Sequence, residues 1–300
     1  MTKLTTLQDA VERFVHEGDL VYASGFTHLI PFAAGHEIIR QRIKHLTLAR
    51  ATPDLIYDQM VAAGCARKII FSYMGNPGVG SLRRLRAAIE AGTLEWEEYS
   101  HFSMISRLRA GASGLPFMPM NPTGAQDLIS KNPHYQHVQD PYTGALVVIV
   151  PPLTPDVAII HVQRADGQGN AQVWGILGEQ QLAAFASQRV ILTVEEVVDE
   201  AVIRSDPNRT LIPGLVVDAI CHVPYCAHPS YTQGYHDRDN AFYLTWDEIS
   251  KTQAGVEAYL DEWVFGLPDR NAYWEKLGPE VHQRLSAGER LSEPVNYGDY

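Results

Sequence analysis

Ser24-Gly25-Phe26-Thr27 follows the apolar run 20–23 and precedes a helical pattern that starts at residue 32. Gly25 has no Cβ to block a ligand or to forbid a positive φ, so backbone N–H groups in this loop can face an anion or an oxyanion. Taken alone, strand, glycine and helix also make a plain tight connection. A second glycine-rich turn, Met74-Gly75-Asn76-Pro77-Gly78, follows another strand-like run and offers the Asn76 amide to a carboxylate, although Asn and Gly are also ordinary turn formers. His101, within Tyr99-Ser100-His101-Phe102-Ser103, is of the type that titrates near neutrality and can position a carboxylate or a water. The alternative is a helix N-terminal residue with no chemistry, and Ser100 and Ser103 read as caps rather than ligands.

Other reactive side chains are less well placed. Glu95, Glu97, Glu98, Glu179, Glu195 and Glu196 qualify as nucleophiles by residue type only. Glu97 and Glu98 read as an exposed strand edge or helix entry, and Glu195-Glu196 as a helix start. His222, His228, His236, Asp237 and Asp239 match no zinc spacing, and no metal site is expected. Asp166-Gly167-Gln168-Gly169-Asn170 reads as a structural turn between strands. Cys65, Cys221 and Cys226 form no C-x-x-C pair, which fits free thiols in a reducing cytoplasm. Arg83-Arg84-Leu85-Arg86 and Arg107-Leu108-Arg109 are solvated helix faces or attract a carboxylate or phosphate.

These residues need a scaffold. Strand-like runs at 20–23, 46–49, 68–73 and 94–99 alternate with helical patterns at 7–15, 32–43, 82–91 and 102–110. Thr52-Pro53-Asp54 reads as N-cap, first helical proline and first-turn acid of a helix closed by Gly64. Such alternation implies an α/β fold, a mainly parallel sheet flanked by helices, with both glycine-rich loops outside the strands' carboxyl ends. Residues 121–144 read as a polar, proline-containing segment too long for a simple connection, of the kind that is functional or disordered. Strands are expected at 146–150, 156–162, 171–174, 190–194 and 216–223, with a helix at 179–186. The sections 246–260 and 271–285 read as peripheral helices. With no linker and 45% hydrophobic residues, 1–300 is expected to form one domain, an α/β core at 1–240 and a helical extension at 241–300. A net charge of −11 argues against nucleic acid as partner, and no run is apolar enough for a membrane span or a signal peptide. Trp174, Trp246 and Trp263 read as packing anchors.

Four further stretches, AGTLEWEEYSHFSMISRLRAGASGLPFMP at 91–119, DVAIIHVQRADGQGNAQVWG at 156–175, PGLVVDAICHVPYCAHPSYTQGYHDRDN at 213–240 and SKTQ…EWVFGL at 250–267, join LVYASGF in matching order. In these the chain resembles the α subunits of the glutaconate CoA-transferase type within the class I CoA-transferases, whose fold is also NagB-RpiA-like. The resemblance implies transfer of CoA from an acyl-CoA, such as glutaconyl-CoA, to a small acid such as acetate. The nucleophilic glutamate would come from a β subunit, in a Ser-Glu-Asn-Gly-like turn that this chain lacks. No catalytic residue is then expected here; Ser24, Gly25, Phe26, Thr27, Gly75, Asn76 and His101 are the candidate oxyanion and substrate-binding residues. The family more often has Gly-Gly-Phe where this chain has Ser24-Gly25-Phe26. The resemblance implies a CoA thioester as substrate, no permanently bound cofactor, and an αβ assembly such as α2β2 or α4β4. It places Tyr225-Cys226-Ala227-His228-Pro229-Ser230 at a subunit contact or near the CoA cleft. A ring-opening hydrolase branch carries an α-subunit glutamate near the place of His101, and the histidine argues against that branch. A subunit of a CoA-ester hydrolase of the same fold, cleaving a thioester or a ring, and a non-catalytic binding subunit are the alternatives.

Overall fold

The computed structural model describes residues 3–76, 78–121 and 124–288; Pro77 of the second glycine-rich turn and the end of the expected helical extension lie outside the described residues. The chain begins with strict alternation: α1 (Leu7–Phe14), β1 (Leu20–Ala23), α2 (Phe32–Arg40), β2 (Leu46–Ala49), α3 (Leu55–Ala62), β3 (Ala66–Phe71), α4 (Arg83–Glu90), β4 (Glu95–Glu98) and α5 (His101–Ala112). β1 pairs in parallel with β2, β2 with β3, and β3 with β4. β2 is buried along its whole length, as a parallel strand covered by helices on both faces must be. α3 starts later than the sequence suggests. Asp54 caps it, accepting the Leu55 N–H at 2.6 Å, which leaves Thr52 outside the helix.

Residues 121–144 are not a plain connection. β5 (Met118–Met120), α6 (Gln126–Lys131), β6 (Gln136–Gln139) and β7 (Leu146–Val150) follow α5, and β5-β7-β6 make a separate antiparallel sheet. Tyr135 anchors it: the ring packs 5.5 Å from that of Tyr99, and the hydroxyl donates to Ser103 Oγ at 2.7 Å.

The chain then returns to the main sheet through β8 (Val157–Asp166), β9 (Ala171–Gln172), α7 (Gln180–Ala186), β10 (Arg189–Val198), α8 (Glu200–Ser205), β11 (Thr210–Ile212) and β12 (Ala219–His222). β8 lies parallel to β1 and carries β10, then β12, on its other side. The parallel order is therefore β4-β3-β2-β1-β8-β10-β12, with β9 and β11 added antiparallel at the end of β8. The β8–β9 turn is built as its composition suggests: the Asp166 carboxylate accepts the N–H groups of Gln168 and Asn170. Glu195 and Glu196, read as a helix start, lie in β10, whose register with β8 continues to Val198. The strand expected at 216–223 is shortened to β12 by a 3-10 turn at Gly214–Val216.

The C-terminal helices α9 (Asn240–Ile249), α10 (Gln253–Leu260) and α11 (Arg270–Leu277) are packed into the molecule, while α12 (Pro279–Arg284) buries none of its residues. Trp246, Val256, Tyr259, Leu260 and Val264 join Val21, Ile38, Leu48 and Tyr57 in one apolar cluster, while Tyr22, Leu108, Ile160 and Ala183 belong to the cluster on the other sheet face. Asp58 ties three helices. Its carboxylate accepts the Leu85 N–H at 2.7 Å and the Trp246 indole N–H at 3.1 Å, and burial pushes its pKa up to about 6. In the arginine clusters Arg86 and Arg109 are exposed, while Arg83 pairs with Asp247 at 2.8 Å and buried Arg107 lies 3.5 Å from Glu97 and over the Tyr99 ring.

Candidate active site

Because β1 to β4 run the same way, the loops that follow them share one edge of the sheet. A cavity of about 260 Å³ lies there, with Phe26 and Thr27 from the first loop, Arg50, Thr52 and Asp54 from the second, Tyr73, Gly75 and Asn76 from the third, and His101 from the fourth. Arg238 completes it. Five sequence candidates, Phe26, Thr27, Gly75, Asn76 and His101, thus meet in one cavity. Ser24 and Gly25 do not line it, and Ser24 is fully buried.

The first loop has an unusual backbone. Gly25 takes φ +118°, and Thr27 and Leu29 both take φ 56°. Left-handed conformations at non-glycine residues cost about 1–3 kcal/mol each and persist only when their surroundings enforce them. A Cβ on Gly25 would lie 2.6 Å from the Leu29 carbonyl oxygen. The Ser24 N–H donates to Ile159 and the Phe26 N–H to His28, so the amides of Gly25 and Thr27 are the loop's uncommitted donors among the described residues.

The enforcement comes from the Tyr225–Ser230 segment and the residues just after it. Ser230 Oγ donates to the Thr27 carbonyl at 2.8 Å, and the Leu29 N–H donates to the Tyr231 carbonyl at 3.0 Å. Buried His28 packs 4.6 Å from Tyr231. Burial lowers its pKa to about 3, so the ring is neutral; Nδ1 donates to the Ile176 carbonyl and Nε2 accepts the Gln233 N–H at 3.0 Å. A segment read as a subunit or cleft contact therefore buttresses the glycine loop from behind.

His101 is the first residue of α5, with Ser100 as N-cap accepting the Ser103 N–H at 3.1 Å. Both ring nitrogens are engaged, Nδ1 with Ser72 Oγ and Nε2 with Thr52 Oγ1, each at 2.7 Å. The Ser72 hydroxyl gives its one proton to the Ala51 carbonyl at 2.6 Å. It can only accept from His101, which places a proton on Nδ1. His101 clamps the second, third and fourth loops together while its ring stands edge-on to Phe26, 6.4 Å away.

Arg50, Thr52, Asp54, Tyr73 and Arg238 were not among the site residues expected from the sequence, Thr52 and Asp54 having been read only as a helix start. A signal existed for Arg50, a cation directly after the apolar run of β2 and hence at a strand's carboxyl end. It is 1% exposed, and Nη2 donates to the Gly25 carbonyl. Arg50 Nε and Nη1, Arg238 Nε, Asn76 Nδ2 and Thr27 Oγ1 are buried with no hydrogen-bond partner among the described residues. Asp54, whose carboxylate caps α3, is the only acidic side chain in the lining among the described residues. The wall has more donors than acceptors, which suits an anion.

None of the six candidate glutamates lines this cavity. Glu195 is buried elsewhere, accepting from His161 Nε2 and Thr232 Oγ1 at 3.0 Å and from the Tyr225 N–H at 2.7 Å. Glu97 pairs with Lys68, and Glu179 accepts the Tyr22 hydroxyl. His228 bonds Asp239 at 3.1 Å and Tyr273 at 3.0 Å, tying its loop to the C-terminal helices. Among the described residues no three His, Cys, Asp or Glu side chains converge as metal ligands, and the three cysteines are free and buried.

A family model described as coenzyme A transferase matches residues 4–222. The chain belongs to the coenzyme A transferase family. This transferase chain is 49% identical to the A subunit of 3-oxoadipate CoA-transferase from Pseudomonas knackmussii, over 92% of its own length and 99% of that protein. It is 38% identical to the A subunit of glutaconate CoA-transferase from Acidaminococcus fermentans, over 93% and 92% of the two chains. The crystal structure of the Acidaminococcus fermentans enzyme superposes with a TM-score of 0.90, covering 96% of each chain at 36% identity. The mainly parallel sheet with its flanking and C-terminal helices is thus the fold of this transferase. Among the described residues no helix is long and apolar enough to cross a membrane.

Proposed function

We propose that the chain is the α subunit of a heteromeric CoA-transferase that exchanges CoA between an acyl-CoA and a small carboxylic acid in the cytoplasm, with the nucleophilic glutamate supplied by a β subunit. The observation that carries this reading is a donor-rich cavity, ringed by the loops after β1 to β4, with no glutamate in its lining. The partner's carboxylate would attack the thioester carbonyl and expel CoA thiolate, leaving an acyl-glutamyl anhydride. Attack of the thiolate on the glutamyl carbonyl then releases the first acid and forms a glutamyl-CoA thioester. The acceptor acid takes CoA by the same steps in reverse order. The uncommitted amide of Thr27, which lines the cavity, is suited to stabilise negative charge on a carbonyl oxygen in these additions, at about 3 kcal/mol for a well-aimed donor. Gly75, Asn76 and His101 would shape the acid's side of the site. Ser24, buried beneath the loop, would support its backbone rather than meet substrate.

The CoA thioester enters as substrate, with no permanently held cofactor. Residues 1–240 and the helical extension 241–300 would act as one domain within an α2β2 or α4β4 assembly. The stronger likeness to the 3-oxoadipate CoA-transferase chain moves the preferred acid from glutaconate toward a six-carbon oxo dicarboxylate. The test is co-expression with the neighbouring β-like reading frame, followed by product analysis with 3-oxoadipate, glutaconate or acetate as acceptor. New acyl-CoA formed in step with donor loss supports transfer. Free CoA without acceptor dependence indicates a hydrolase of the same fold, and absence of both leaves a binding subunit.

A further inference from the structure

We infer that Arg50, with Arg238 and Asn76 beside it, grips the non-reacting carboxylate of a dicarboxylic substrate and so sets the preference for two-headed over one-headed acids. The inference rests on the CoA-transfer reading and deepens it. A guanidinium that is 1% exposed is costly to leave partly unpaired, yet Arg50 Nε and Nη1 have no hydrogen-bond partner among the described residues. Arg238 Nε and Asn76 Nδ2 share that condition in the same lining. Two cations against the single carboxylate of Asp54 leave the cavity one positive charge in excess. Its volume of about 260 Å³ accommodates a short-chain acid, since one water takes about 30 Å³.

The choice between the two ends of the acid follows from charge constancy. The reacting carboxyl alternates between anion and neutral thioester or anhydride, and neutral amide donors suit it. The far carboxylate keeps its full charge through every step, and a fixed guanidinium is its counterpart. Binding that is equal in ground and transition states changes KM and substrate preference rather than the chemical step. Arg50 Nη2 also holds the Gly25 carbonyl, so the residue that would read the far end braces the loop that would serve the near end.

The test compares glutarate with butyrate, which lacks only the far carboxyl, as acceptors from acetyl-CoA in the co-purified αβ complex. In Arg238→Met, a partly exposed position, and in Arg50→Lys, the glutarate-to-butyrate ratio of kcat/KM is expected to fall about ten- to hundredfold, through the KM for glutarate. Asn76→Ala should give a smaller fall in the same direction. An equal loss on both acids overturns the inference, as does a rise confined to the KM for acetyl-CoA, which would assign the cations to a CoA phosphate. Calorimetric titration of glutarate and butyrate into the same complexes separates this from the functional reading. If the wild-type complex transfers CoA to neither acid nor to 3-oxoadipate or glutaconate, the functional reading fails; glutarate binding that requires Arg238 still supports the carboxylate grip, and binding indifferent to Arg238 overturns it.

Discussion

Gly25 shows how a single position can be demanded twice over, by its φ of +118° and by the Leu29 carbonyl 2.6 Å from where a Cβ would sit. Gly25→Ala is expected to lower stability by about 1–3 kcal/mol in urea denaturation and to reduce transfer activity more than proportionately, because the loop must move to accommodate the methyl. Although the same pattern also fits a plain connection, that glycine's backbone role was legible from sequence as a tight turn between strand and helix. Arg50 was not: a charged residue after a strand says nothing about whether its guanidinium points to water or inward. His161 and Glu195 were illegible for a related reason, as their pairing crosses from β8 to β10. Burial opposes charge on His161, but Cys226 and Glu195 outweigh it and raise the pKa to about 10. Burial likewise opposes charge on Glu195, while His161 and His236 hold its carboxyl well below the usual range. The His161 contribution to stability is thus complete below pH 6.5 and fades as pH rises through about 10, and the Glu195 contribution is present above pH 4.5 and fades in acid. His161→Gln should cost about 3–5 kcal/mol near neutrality and flatten the alkaline limb of a stability profile measured by denaturant titration.

At the scale of elements, alternation and capping disclosed β1 through α5 almost intact, because period and turn chemistry act over a few residues. What failed were choices that depend on distant chain. Asp54 rather than Thr52 caps α3, and Thr52 instead meets His101 across two loops. In the small sheet β5-β7-β6 only β7 was expected; β5 and β6 escaped notice because they are short, partly or largely exposed and, among the described residues, paired only with β7. Asp58 offers the test for helix docking. Asp58→Ala leaves the Leu85 N–H and the Trp246 indole without acceptors, at about 1–3 kcal/mol for each. With its folded pKa raised from 3.8 to about 6, native Asp58 holds a proton that the unfolded chain has lost, so stability from this group declines as pH rises across that interval. Intrinsic tryptophan fluorescence during unfolding at pH 4 and pH 7 should show this decline in the wild type and lose it in Asp58→Ala.

Across the whole molecule, the C-terminal helices share their apolar cluster with the first βα units, so core and extension should unfold together. Calorimetry is expected to give one transition, and two separated transitions would count against a single domain. The parallel sheet also has to finish somewhere, and it does so at β4, whose sequence is Glu-Trp-Glu-Glu, with Glu97 held by Lys68. A terminal strand offers a row of backbone groups to any passing chain, and acidic side chains make that row a poor template for another strand. The carboxylates of Glu95 and Glu98, offered by sequence alone as nucleophiles, thus make that edge unfavourable for a further strand to join.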